Sequence, residues 1–413
     1  MSDARPGSVK RRHFLRGAAA TVGAAAVSGT VGASVARAAD PSAAPTPPAS
    51  FHGAHQAGIV DDRQAQAAFA AFDLTAASRG EVTDLLRVLT ERARLLTAGG
   101  TPQQLGISAP PSDSGILGDP VPGAGLTVTV GLGASAFDSR FGLASAKPRR
   151  LRQMDVFVND DLDRTRCDGD LLVQLCAHDA DTVVHALRDI TRHTRGGMAP
   201  RWRLNGFVSP PRPSGTPRNL LAFKDGIANP DVTDAATMNR LVWVQSGSGE
   251  PAWAAGGSYQ VVRVIRMFTE FWDRVTIGEQ ERMIGRRRDS GAPLSGSAEF
   301  DTPDYSNDPT GSTTPLDAHI RMANPRTAAT DDNRILRRGY NYDQGLDSNG
   351  DLDMGLIFTC FQQDLDRQFV TVQRRLADEP LVDYIAPVGG GYFFALPGVR
   401  DAGDWYGRGM LAP

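Results

Sequence analysis

The sequence predicts an α+β fold. Strand and helix patterns alternate without a regular repeat, no glycine-rich dinucleotide turn occurs, and the second half of the chain carries its own strand and helix set, similar in kind to the first. The 413 residues are too many for one compact core and enough for two ordinary domains. With 41% hydrophobic and 22% charged residues, the chain can bury a large core and an internal pocket.

In chain order, the first expected element is a helix over 79–97, where Val82, Leu85, Leu86, Val88, Leu89, Leu95 and Leu96 recur at helical spacing. Leu126–Leu132 alternates β-branched residues and reads as a strand, as does Asp170–Cys176. Asp181–His193 is a helix with Val184, Leu187 and Ile190 on one face. The proline-rich stretch 209–218 excludes helix and central strand and suits a crossing between domains. Beyond it, Ser258–Met267 reads as a strand, Phe268–Ile284 as a helix, Gly355–Gln362 as a strand and Leu365–Leu376 as a helix.

The N-terminus reads as an address. Lys10-Arg11-Arg12-His13-Phe14-Leu15-Arg16 is a twin-arginine signature, a weakly apolar stretch runs from Gly17 to Val35, and Ala36-Arg37-Ala38 fits a cleavage site. Such a signal serves proteins exported already folded, the usual reason being a cofactor loaded in the cytoplasm, which points toward a redox or metal enzyme. The expected division is a signal peptide over 1–38, a disordered linker over 39–50, and domains over 51–215 and 216–413. The destination is the periplasm, cell envelope or medium, with no stable membrane insertion once the signal is removed. Residues 1–38 carry six basic residues and one acid, so the overall charge of -3 becomes -8 without them. That acidity argues against nucleic acid as a partner.

Three cysteines without a CxxC exclude a disulfide framework and a cysteine-rich zinc site. One Cys167–Cys176 bridge stays open, and free, partly buried thiols are the simpler expectation. Of seven histidines, His13 lies in the signal. His178, His185 and His193 read as solvated or capping residues, and His52 and His55 as structural ones despite their HxxH spacing. The acidic run Asp347–Asp353 resembles half an EF-hand loop, but Phe358 stands where the closing acid is needed, so a hairpin turn is expected.

His319 remains, in Asp317-Ala-His-Ile-Arg-Met-Ala-Asn-Pro-Arg326, beside two other notable segments. Asp225-Gly226 follows Ala222-Phe-Lys in a turn-rich stretch, and Arg337 lies in Arg334-Ile-Leu-Arg-Arg-Gly-Tyr340. Singly, these residues would read as a structural histidine, an Asx-turn and a surface ion pair. Their order, with Phe51–Ile59, Trp272-Asp-Arg274, Gly285-Arg286, Ser290–Leu294, Val372–Leu376 and Gly389–Phe393, resembles the dye-decolourising peroxidases over nearly all of the chain after the signal. The likeness is greatest to their exported bacterial branch, which includes the deferrochelatases of iron-uptake systems. The family's Gly-x-x-Asp-Gly hallmark is altered here, with Ala222 in place of its first glycine.

The resemblance implies two ferredoxin-like domains with one haem b in the C-terminal one. It implies His319 as the iron ligand, Asp332 as acceptor of its other ring N–H, and Asp225 and Arg337 as the distal pair. Gly226, Ile227, Ala228, Asn324, Pro325 and Arg326 would line the haem, Arg326 facing a propionate. The implied activity is reduction of hydrogen peroxide through a ferryl intermediate, at the expense of dyes or phenolic one-electron donors. Trp202, Trp243, Trp253, Trp272, Trp405 and Tyr340 are relay candidates, though core packing explains each more simply. Removal of iron from haem with the porphyrin left intact, alongside an iron-uptake permease, and non-catalytic haem binding are the alternatives. A homo-oligomer is compatible with all three.

Overall fold

In a computed structural model, the described residues are 49–412, so the signal and nearly all of the linker lie outside them. Nine strands form one antiparallel sheet system from two repeats of the same βαββαβ plan. The first repeat is β1 (Gln66–Leu74), α1 (Arg79–Ala98), β2 (Thr127–Gly133), β3 (Leu171–Ala177), α2 (Ala180–His193) and β4 (Met198–Phe207). Its strands lie in the order β4-β1-β3-β2, the ferredoxin-like arrangement.

After α3 (Ala235–Leu241), the second repeat runs through β5 (Ser258–Met267), α4 (Thr269–Trp272), α5 (Ile277–Ile284) and α6 (His319–Ala323) to β6 (Leu336–Arg337) and β7 (Tyr340–Leu346). It continues with β8 (Leu352–Gln362), α7 (Thr371–Arg375) and β9 (Ile385–Ala395), and α8 (Arg408–Leu411) ends the chain. The order β9-β5-β8 with β6 and β7 beyond repeats the first plan. Gly131–Gly133 of β2 pair with Phe393–Ala395 of β9, and Phe207 of β4 pairs with Asn341 of β7, so the two sheets close into a barrel without a long free edge.

The sequence explains these elements locally. In β1 successive residues serve opposite faces: Ala67, Phe69 and Ala71 enter the barrel interior with Tyr340 and Phe393, while Ala68, Ala70 and Phe72 pack under the helices of the first repeat. Helix α1 starts where the Ser78 hydroxyl accepts from Glu81 N at 3.2 Å while Glu81 accepts from Ala77 N at 2.9 Å. It stops at Gly99, whose φ of 66° suits glycine.

Several expectations need correction. The segment 268–284 is two short helices, interrupted by Asp273–Val275 and restarted by the Thr276 cap. The segment 365–376 opens with a π turn over Asp366–Val370 before α7. Strands β1, β4, β7 and β9 escaped the sequence reading, because alanine, glycine and charged residues interrupt their alternation, and β6 escaped it because two residues carry no period. His185 is buried: its Nδ1 lies 2.7 Å from the Ser114 hydroxyl, since the loop before β2 covers that face of α2. Residues 396–411 leave the second repeat and join the core of the first, where the Tyr406 hydroxyl donates to Val128 O at 3.2 Å. Cys167, Cys176 and Cys360 are free and buried. The Asp347–Asp353 run is a turn in which Asp347 accepts from the N–H groups of Asn349 and Asp351.

Where a short helix would join the first two strands of a ferredoxin-like unit, the second repeat inserts the whole span from Phe268 to Ile335. That excursion roofs a cavity over the sheet, and the site is built there.

Candidate active site

The stretch 217–225 is a tight loop. Asn219 Oδ1 accepts from Leu221 N and Phe223 N, Asn219 N donates to Phe223 O, and Asp225 N donates to Pro217 O at 3.0 Å. The chain reverses at Ala222, which has φ = 70°, a left-handed conformation that costs an L-residue about 1–2 kcal/mol relative to glycine. Asp225 leaves the loop and lines the cavity. Gly226 follows with φ = 114°, a value that needs glycine. Lys224, also in the cavity wall, is held in a buried ion pair with Glu299.

Arg337 reaches the same place from the short strand β6. Its Nη1 donates to Asp225 Oδ1 at 2.8 Å, and both side chains are partly exposed to the cavity. The next residue, Arg338, points the other way and donates to Asp62 O at 2.9 Å and Gln64 Oε1 at 2.6 Å, tying the strand to the first repeat.

His319 is the first residue of α6. Its Nδ1 lies 2.6 Å from Oε2 of Glu379, whose side chain is only 4% exposed, while the imidazole is 30% exposed. Burial lowers the imidazole pKa, but the charge and hydrogen bond of Glu379 outweigh it, so the net shift is upward. Among the described residues, Nε2 has no hydrogen-bond partner.

One cavity of about 240 Å³ joins these groups. His319, Asp225, Gly226, Ile227, Ala228, Asn324, Arg326 and Arg337 all line it, with Leu221, Phe223, Ile265, Met267, Phe358 and Phe369 as apolar walls. Pro325 does not line it. Asp332 does not either, and the expectation that it receives the His319 N–H is corrected. The 3-10 turn Ala328–Asn333 directs Asp332 outward to an ion pair with Arg240, leaving its side chain 50% exposed. Glu379 holds the position instead. It precedes Pro380, sixty residues from His319 in sequence, and no local spacing links the two. The other expected histidine pair is structural in its contacts: His55 Nδ1 lies 2.7 Å from Gly256 O, and its ring stacks on Trp243 at 3.8 Å.

This site fits a haem. A carboxylate on Nδ1 sets the tautomer that leaves Nε2 free for iron, and the apolar walls suit a porphyrin. The class defined by fold and site is thus a haem oxidoreductase. Comparisons with known proteins make it specific. Residues 56–208 match the Dyp-type peroxidase N-terminal domain, and residues 216–400 match the C-terminal one. The deferrochelatase of Escherichia coli K12 is 50% identical over 366 residues, 87% of this chain and 86% of that one. That of Yersinia pestis is 49% identical over 365 residues, 87% of this chain and 84% of that one. Among solved structures, ferric DtpA from Streptomyces lividans superposes with a TM-score of 0.80 at 37% identity, covering 89% of this chain and 98% of that one. A DyP-type peroxidase from Cellulomonas bogoriensis gives 0.78 at 37%, covering 88% and 98%. The chain belongs to the Dyp-type peroxidase family. It is a haem peroxidase, acting on a peroxide and a reductant.

Proposed function

We propose that the protein reduces hydrogen peroxide at a haem b held by His319 and oxidises dyes or phenols one electron at a time, with Asp225 and Arg337 serving the peroxide. The observation that carries this reading is the 2.8 Å Arg337–Asp225 pair in the cavity that holds an imidazole with a free Nε2. Bound haem supplies the iron at which the O–O bond breaks and stores the oxidising equivalents. The rest of the work falls to the chain. Glu379 orients the imidazole and strengthens it as a donor. The Asp225 carboxylate takes the proton from one peroxide oxygen and returns it to the other, so that water leaves. Arg337 supplies a fixed positive charge that holds the carboxylate and stabilises charge on the separating oxygens.

The test is spectroscopic. His319→Ala should abolish the haem Soret band or change its spin state, and an unchanged spectrum would place the ligand elsewhere. Asp225→Asn should slow the absorbance change on mixing with peroxide by about 100-fold; wild-type rates would remove Asp225 from the reaction.

The names of the relatives favour a second use of the same pocket. Proteins half identical to this chain are called deferrochelatases, and in that role haem is the substrate: two protons replace iron, and porphyrin survives. Metal-free porphyrin fluorescence released from the haem-loaded protein would support this role, and its absence under reducing and oxidising conditions would exclude it. A gene neighbour encoding an iron permease would place the protein in iron uptake.

Folded export through the twin-arginine signal completes the proposal. Arg11→Lys with Arg12→Lys should leave the precursor in the cytoplasm; normal export would show that the N-terminus is no such signal.

A further inference from the structure

Asp225 borders two spaces. It lines the large cavity, and it also lines a small one of about 10 Å³ at the seam between the two repeats. Arg337 engages only Oδ1, and Oδ2 accepts from no described residue.

The small cavity draws its polar groups from both repeats: Arg63, Ser209, Arg218, Asn219 and Asn341 stand in its wall with Asp225. Some of these groups are committed elsewhere. Arg218 donates to Ala222 O at 2.8 Å and to the carbonyls of Arg288 and Asp289. Asn341 Nδ2 donates to Arg218 O at 3.1 Å and to the Ser209 hydroxyl at 3.3 Å. The Asn219 amide nitrogen and the Ser209 hydroxyl donate to no described residue.

Arg63 is the charged group left over. It lies just before β1, in a segment pinned on both sides of it by Arg338, which donates to Asp62 O and Gln64 Oε1. Its Nη1 donates to Gly339 O at 2.8 Å, and its other two guanidinium nitrogens donate to no described residue. No carboxylate lies within ion-pair distance of it among the described residues. Burial pulls its pKa below the ordinary value, and the largest opposing pull is the charge of Asp225, which shares the small cavity with it. A cation and a carboxylate oxygen thus border one space, too far apart to touch and each with hydrogen-bonding capacity unspent. Polar groups separated in this way are commonly joined by a water.

We propose that Arg63 is a positioning residue for Asp225, acting through one water held in the small cavity. A space of this size takes a single water, which needs about two to four polar partners. That water accepts from the Arg63 guanidinium and donates to Asp225 Oδ2, with Ser209 and the Asn219 amide as its remaining neighbours. Arg337 and Arg63 then hold one carboxylate oxygen each, so the carboxylate keeps one orientation toward the peroxide. Each oxygen has two lone pairs, so the acid can still take a proton while held. The second hold comes from the first repeat, and closure of the barrel completes a site otherwise built by the second. The inference rests on the role given to Asp225 above and adds a residue to it.

The test uses the haem-loaded full-length protein and follows the absorbance change on mixing with peroxide. Arg63→Met should slow that change about 10-fold, and Arg63→Lys, which keeps a cationic donor, should recover most of the loss. In the Asp225→Asn background Arg63→Met should add no further slowing, because its effect passes through the carboxylate. Equal slowing in the two Arg63 variants, or a further loss in the Asp225→Asn background, would mean that Arg63 serves the fold alone and overturns the proposal. A crystal structure of the wild type needs no variant: it should show one ordered water within hydrogen-bond distance of both Arg63 and Asp225. A structure without that water overturns the proposal even if Arg63→Met folds poorly. If Asp225→Asn itself reacts at the wild-type rate, the reading of Asp225 falls; if it is slow while Arg63→Met is as fast as wild type, only this inference does.

Discussion

Asn229 clamps both main-chain polar groups of Arg337: its Oδ1 accepts from Arg337 N at 3.1 Å, and its Nδ2 donates to Arg337 O at 2.8 Å. The turn that carries Asp225 thus grips the strand that carries Arg337, and the 2.8 Å side-chain pair follows from that grip. Asn229→Ala removes both bonds and leaves two main-chain groups unsatisfied, a loss of about 2 kcal/mol in stability. Peroxide should then react about 10-fold more slowly, because the pair loses its alignment. Stopped-flow absorbance and a denaturant titration would measure the two effects. Wild-type rates would show that Arg337 is held in place by something else.

Glu379 should matter to the haem where Asp332 does not. Glu379→Ala should weaken haem binding about 10- to 100-fold. Glu379→Gln, which keeps an acceptor but removes the charge, should retain haem and raise the reduction potential of its iron. Asp332→Ala should leave both unchanged, since that side chain faces Arg240. Haem titration and spectroelectrochemistry distinguish these outcomes.

Ala222→Gly should stabilise the protein. Removing the Cβ relieves the left-handed strain at φ = 70°, offset by the greater freedom of glycine in the unfolded chain. The net gain is about 0.5–1 kcal/mol, visible as a higher denaturation midpoint with the peroxide reaction unaltered. A lower midpoint would mean that the alanine methyl contributes packing that outweighs its strain.

Acid sensitivity should depend in part on Asp170, buried at the start of β3. It accepts from Leu74 N at 2.8 Å and Arg140 Nη2 at 2.9 Å. Burial raises its pKa, but the bonds from Arg140, Ser135 and Leu74 outweigh burial and hold it below the usual carboxylate value. A depressed folded-state pKa means that this stabilisation is present above the unfolded value, about pH 4, and fades as pH falls through the folded one. Asp170→Ala should cost about 3 kcal/mol at pH 7, with a smaller penalty at pH 3. A penalty independent of pH would assign the loss to packing alone.

By itself the sequence determined the fold class, the boundaries of β5 and most of those of α1 and α2, because hydrophobic period is a local property. It also singled out Asp225, His319 and Arg337, which the structure brings to one cavity. The tertiary structure alone decided their partners. Glu379 meets His319 because the chain after α7 returns under α6, and nothing in either segment encodes that approach. Asp332 was the nearer acid in sequence, but a 3-10 turn faces it away from the cavity. Arg286 sits in an arginine-rich run, and only the structure shows it buried, at 5% exposed, in the cavity wall. Local pattern fixes which way a residue points along its own element, whereas ion pairing depends on distances across the fold, which chain closure sets and sequence spacing does not.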